Sequence, residues 1–223
     1  MRFRSAWFFV PQLIIQSAAY SPETKLALLD LVQSRILAVI EGQSQEFALK
    51  ERFGGGEEIS VQQYLLMVEG KTSALFSVPL VGGAIVAGAG ALERRALEQS
   101  AVHLGRAFQI QDDLLDLWGN KGRDAVGSDI AEGKLSYPLV LLLSKLPRGS
   151  QERMRAEEIV RAPREETTQE MIQWVVSLME RNEIKEQSKL DFQRHLKEAR
   201  TASLWEEVIT YLSGWLEEKV AGF

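Results

Sequence analysis

Apolar residues recur along this chain at intervals of three and four, and alternating runs are scarce, so the pattern predicts helices almost throughout and an all-α fold. Leu28, Leu29, Val32, Ile36, Val39 and Ile40 mark the inner face of one helix. Ser21-Pro22-Glu23 opens it, with a capping serine ahead of a proline in the first turn. Gly54-Gly55-Gly56 predicts a loop, and Ser60-Val61-Gln62-Gln63 is a capping-box signature for the next helix. That helix is expected to run through YLLMVEGKTSALFSV, with Pro79 and Gly82-Gly83 kinking or interrupting it. A long helix is predicted from Leu92 to Trp118, then a polar, glycine-punctuated loop over 119–134. The remainder to Val220 reads as four or five shorter helices. With no heptad run, repeat or low-complexity tract, residues 1–223 are expected to form a single helical-bundle domain.

Composition narrows the function classes. A net charge of −5, from 26 Lys+Arg against 31 Asp+Glu, argues against nucleic acid as a partner, since binding it needs a concentrated basic face. The absence of cysteine removes disulfides, thiolate catalysis and thiolate-bound metal. His103 and His195, the only two histidines, are too few in sequence terms for a multi-histidine metal site, so any metal is expected to be bound by oxygen, as magnesium or calcium is. The basic and apolar start resembles a signal peptide, but Pro11 and Gln12 break its apolar run and no small-x-small cleavage site follows. No run of about 20 consecutive apolar residues suggests stable membrane insertion. The expectation is a cytoplasmic protein.

The most informative stretch is GRAFQIQDDLLDLW, from Gly105 to Trp118. On a helical wheel Leu104, Ala107, Phe108, Ile110, Leu114, Leu115, Leu117 and Trp118 fill a wide apolar arc. Gln109, Asp112, Asp113 and Asp116 share the narrow stripe that remains. Like charges at these spacings cost roughly 0.2–0.5 kcal/mol per pair even in water. No Lys or Arg sits three or four residues from any of the aspartates. The stripe is either a solvated acidic face or a cation site; uncompensated repulsion on so apolar a helix favours the cation. Magnesium suits it, because it takes one or two carboxylates and accepts phosphate oxygens as further ligands.

Lys71 interrupts another apolar helix, within LLMVEGKTSALF. It either snorkels outward or, with the Thr72 hydroxyl, grips a phosphate. The upstream glycines of a Walker loop are missing. Lys134, and with less support Arg123, are further candidate phosphate contacts.

Four motifs in order, GQSQEF at 42–47, EGKT at 69–72, FQIQDDLLDLWG and GSDIAEGK, resemble those of the trans-isoprenyl diphosphate synthases. Glu46 stands where that family usually has aspartate. The resemblance implies a class I isoprenoid-synthase helical bundle that condenses isopentenyl diphosphate with an allylic prenyl diphosphate, with Mg2+ as cofactor. It implies Asp112 as direct metal ligand, with Asp113 and Asp116 contacting the metal's waters or a second oxygen. Lys71, Thr72, Gln109 and Lys134 would hold the allylic diphosphate, with Arg123 and Gln43 as further substrate contacts. Phe76 and Phe108 would line or support a dry tunnel for the growing chain.

The family also carries a first aspartate-rich motif well upstream of GQxxD, whereas residues 1–41 contain Glu23, Asp30 and Glu41 but no aspartate pair. The chain is therefore expected to be N-terminally truncated relative to the family and to lack that wall of the site. Four functions stay open: a prenyltransferase, a non-catalytic or regulatory subunit of a heteromeric synthase, a terpene cyclase, or a helical protein without a site. Residues 7–19 and 22–50 carry more apolar positions than one core-facing stripe needs, so a homodimer, or a hetero-oligomer with another synthase subunit, is expected.

Overall fold

The computed structural model describes residues 6–119, 127–202 and 205–220. Helix α1 (Ala6–Ser17) lies on α2 (Pro22–Gly54), and α2 packs along a composite helix made of α3 (Val61–Val68), a π turn (Glu69–Ser73) and α4 (Ala74–Val86). Next comes α5 (Ala91–Trp118), the central rod. The short α6 (Ser128–Ala131) is followed by α7 (Tyr137–Lys145), α8 (Gln151–Arg161), α9 (Gln169–Arg181), α10 (Ile184–Ala202) and α11 (Glu206–Val220). No strand occurs among the described residues, and five helices follow α6 as the apolar pattern suggests.

Local chemistry explains the helix starts. The Ser21 hydroxyl accepts the Thr24 N–H at 3.2 Å. The Ser60 capping box closes in both directions: Ser60 Oγ accepts from Gln63 N at 3.2 Å, and Gln63 Oε1 accepts from Ser60 N at 2.9 Å. Leu97, Ala101, Leu104, Ala107, Ile110 and Leu114 of α5 are fully buried, each leucine stabilising by about 2 kcal/mol. One side of α5 meets α4 and the π turn, and another meets α10 and α11.

Two expectations are corrected. The composite helix is not interrupted at Pro79 or Gly82-Gly83, and a departure from α geometry lies upstream, in the π turn. Pro79 and Leu75 are both exposed, so water can take the Leu75 carbonyl that proline leaves unbonded. The segment 119–134 is not all loop, because α6 forms within it against the Asp116 carboxylate.

Helix Val61–Val86 is long and apolar enough to cross a membrane by composition, but more than half of its most apolar window is buried inside the bundle. An exposed apolar face does run along the two N-terminal helices: Phe9, Leu13 and Ile14 on α1, and Leu26, Leu37, Ile40 and Phe47 on α2.

Candidate active site

The π turn sets the site's geometry. Gly42 of α2 and Gly70 touch backbone to backbone: a Cβ on Gly42 would lie 2.3 Å from Lys71 N, and one on Gly70 would lie 3.1 Å from Gly42 Cα. On the opposite side a Cβ on Gly105 of α5 would lie 2.4 Å from Ser73 Cα. The turn carrying Lys71 and Thr72 is thus pressed between α2 and α5 with only hydrogen atoms as spacers.

Three hydrogen-bonded groups result. In the first, Lys71 Nζ donates to Glu46 Oε1 at 2.7 Å, and Gln43 Nε2 donates to Glu46 Oε2 at 2.5 Å. In the second, Thr72 Oγ1 donates to Gln109 Oε1 at 2.9 Å, and Gln109 Nε2 donates to Asp113 Oδ1 at 3.0 Å. Asp113 Oδ2 also accepts from Tyr64 Oη and from Tyr137 N, each at 2.6 Å. In the third, Asp116 accepts from Ser128 Oγ at 2.7 Å and from Asp129 N at 3.1 Å. Lys134 Nζ closes this group on Asp129 Oδ1 at 3.1 Å and Glu132 Oε2 at 2.7 Å.

Burial pushes the Asp113 carboxyl up to about 7, although the donors from Tyr137, Tyr64 and Gln109 pull it back. Burial also raises the Tyr64 phenol, and the Asp113 charge adds to that. Burial alone would lower the Lys134 ammonium, but its bonds to Glu132 and Asp129 outweigh it and the pKa is raised.

Asp113 and Asp116 are therefore not uncompensated: both are buried and held by neutral donors from other elements. Asp112, which precedes both in sequence, is half-buried. The three carboxylates offer oxygen donors only, the kind a hard cation such as magnesium takes, and Asp112 is the most accessible of them. Phe76 and Phe108 meet with their rings tilted at 57° and their centroids 5.6 Å apart, both partly buried against the core. A cleft of about 610 Å³ opens beside the site, and Glu46 of the first group and Lys134 of the third both line it, with Lys50, Met67, Arg161 and Arg164. Arg123 lies outside the described residues.

Sequence reasoning missed Tyr64, Tyr137, Ser128 and Asp129, since donors contributed by distant elements leave no trace in helical spacing. It also dismissed the histidines, which the structure brings together. His103 Nδ1 lies 3.2 Å from His195 Nδ1, and Glu198 Oε2 lies 3.0 Å from both. Separation by 92 residues hid their meeting across α5 and α10.

Comparison with known proteins agrees with this architecture. The chain is 35% identical over 136 residues to a short chain isoprenyl diphosphate synthase of Methanothermobacter thermautotrophicus, covering 60% of this chain and 40% of that protein. It is 35% identical over 135 residues to a geranylgeranyl diphosphate synthase of Sulfolobus acidocaldarius, covering 59% of this chain and 40% of that one. The matched part thus spans about two-fifths of the length of these curated relatives. The crystal structure of a polyprenyl synthetase from Streptomyces coelicolor A3(2) superposes with a TM-score of 0.81 at 24% identity, covering 95% of this chain and 64% of that one, and shares the fold. The profile described as Polyprenyl synthetase matches residues 6–179, and with the motifs in order on these helices the chain belongs to the polyprenyl synthetase family.

Proposed function

We propose that the chain serves prenyl transfer, holding an allylic diphosphate through magnesium on the α5 carboxylates and joining isopentenyl diphosphate to it. The observation that carries this is the relay from Thr72 through Gln109 to Asp113, with hydrogen bonds of 2.9 Å and 3.0 Å, in the turn that also carries Lys71. Asp112 would hold the metal directly, and Asp113 and Asp116 would orient its waters. Bound magnesium supplies charge neutralisation at the leaving diphosphate. Lys71, Thr72, Gln109 and Lys134 would bind the diphosphate oxygens, with Gln43 positioning Glu46. The allylic C–O bond breaks, with its electron pair leaving on the diphosphate. The isopentenyl double bond then forms the new C–C bond, and a proton departs from the adjacent carbon. Preplaced donors favour ionisation because they need not reorganise as charge develops.

A second reading, a non-catalytic subunit that modulates a complete synthase, is favoured by the pairing already present: Lys71 with Glu46, and Lys134 with Asp129 and Glu132. Cations neutralised in this way grip a diphosphate less strongly.

The deciding experiment has two parts. Melting temperature is measured with magnesium plus inorganic diphosphate, with each alone, and in Asp112→Ala. A shift requiring both ligands and lost in the variant supports the site; a shift retained in Asp112→Ala overturns it. Incorporation of labelled isopentenyl diphosphate into farnesyl diphosphate, by the chain alone and mixed with a complete synthase, then separates the two roles.

A further inference from the structure

We propose that His103, His195 and Glu198 form a transition-metal site of the zinc class, joining α5 to α10 and independent of the diphosphate site. The three ligand atoms form a nearly equilateral triangle, with Nδ1–Nδ1 at 3.2 Å and both Nδ1–Oε2 distances at 3.0 Å. Tetrahedral zinc with bonds near 2.0–2.1 Å spaces its ligand atoms about 3.3 Å apart, so the triangle is close to a preformed coordination face.

Protons cannot satisfy these three contacts together. If both Nδ1 atoms carry hydrogen, each donates to Glu198, but the two donors confront one another. If only one carries hydrogen, the bare nitrogen's lone pair faces the carboxylate oxygen, and if neither does, the two nitrogen lone pairs face one another as well. One divalent cation satisfies all three lone pairs at once. His195 is fully buried, and its Nε2 has no hydrogen-bond partner among the described residues, so its polar contacts are concentrated in this triangle. Glu198 Oε1 faces Arg194 Nη1 at 3.5 Å, which leaves Oε2 directed at the imidazoles.

Two nitrogens and one carboxylate oxygen make a borderline donor set, suited to zinc over magnesium. Glu198 and His103 are partly exposed, at 38% and 24% of their side chains, so the fourth position opens towards solvent. His103 precedes Asp112 by nine residues, which puts it about 14 Å along α5 and about half a turn around it. The two sites therefore load separately, and the zinc-class site clasps α10 to the rod that carries the aspartates.

The test uses the untagged full chain, stripped with chelator and titrated with Zn2+ and with Co2+. The expected result is about one equivalent of tightly held zinc, visible absorption bands typical of tetrahedral Co2+, and a higher melting temperature with zinc. His103→Gln and Glu198→Gln, at partly exposed positions, are expected to keep the fold by circular dichroism and weaken zinc binding by more than about tenfold. Asp112→Asn is expected to bind zinc like the unaltered chain. Absence of micromolar zinc binding by the unaltered chain would overturn the proposal, as would undiminished binding in both ligand variants.

Discussion

Gly42 and Gly70 meet backbone to backbone, and a methyl group on Gly42 would sit 2.3 Å from the Lys71 nitrogen. The contact locks the turn bearing Lys71 and Thr72 against α2. Gly42→Ala is expected to destabilise the fold by about 1–3 kcal/mol, because the obstacle is main chain that cannot rotate away. Gly54→Ala is the control: nothing lies within 4 Å of its added Cβ, so a small gain of about 0.4–1 kcal/mol is expected. Urea denaturation of the two variants measures the contrast, and equal stabilities would refute the close-contact account.

Tyr64→Phe removes one of three donors to a buried carboxylate. A loss of about 1–3 kcal/mol is expected, in the range for hydrogen bonds to charged groups. Chemical denaturation at pH 8, where Asp113 is ionised, reads it. A change below about 0.5 kcal/mol would mean that water replaces the phenol.

Asp113 and His195 give opposite pH dependences. The folded-state carboxyl of Asp113 sits near 7, above its ordinary 3.8, so its contribution to stability falls as pH rises from about 4 to 7. Burial lowers the His195 imidazole to about 4 from 6.5, so its contribution is present above pH 6.5 and is lost as pH falls towards 4. Between these limits the slopes partly cancel in the unaltered protein. In metal-free buffer, Asp113→Asn is expected to leave a stability that climbs more steeply with pH from 4.5 to 6.5. Parallel pH profiles for variant and parent would contradict the assignment of Asp113.

Glu46→Gln leaves Lys71 without its ionic partner. The pair is about 30% exposed on each side, at 32% and 27%, so the stability cost is expected to stay under about 1 kcal/mol. Magnesium-diphosphate binding, measured calorimetrically, is expected to tighten, since Lys71 no longer shares its charge. Weaker binding would show that Glu46 orients the lysine rather than restraining it.

The exposed apolar residues of α1 and α2, among them Phe9, Leu13, Leu37 and Phe47, are expected to be covered by a second subunit. Sedimentation at micromolar concentration checks this, a 25 kDa monomer being the adverse result. Leu37→Glu together with Phe47→Glu is expected to shift any dimer towards monomer.

Much of this was legible along the chain, and the reasons differ by element. The Ser60 box and the Ser21 cap are local, so four residues suffice to announce them. The α5 stripe was visible through its 3.6-residue period, but the compensation of Asp113 and Asp116 was not, because Tyr64, Tyr137 and Ser128 come from three other elements. The π turn was missed because Pro79 and Gly82-Gly83 are the stronger breakers by residue type, while the turn's close approach to Gly42 and Gly105 joins residues far apart in sequence. Helical periodicity cannot bring His103 and His195 together, since their meeting depends on how α10 returns along α5.

The wide turn at Glu69–Ser73 also changes the phase of everything after it. Tyr64 and Thr72 are eight residues apart, and in an uninterrupted α-helix they would point about 80° away from each other. A π turn accommodates one surplus residue, which reduces that offset to about 20°. Both side chains then address α5, where their targets Asp113 and Gln109 are one turn apart. Deleting a single residue from the turn would leave a regular α-helix with the two side chains seven residues apart and still about 20° from alignment, so the wide turn stores a spare residue without taking the two hydroxyls off one acidic face.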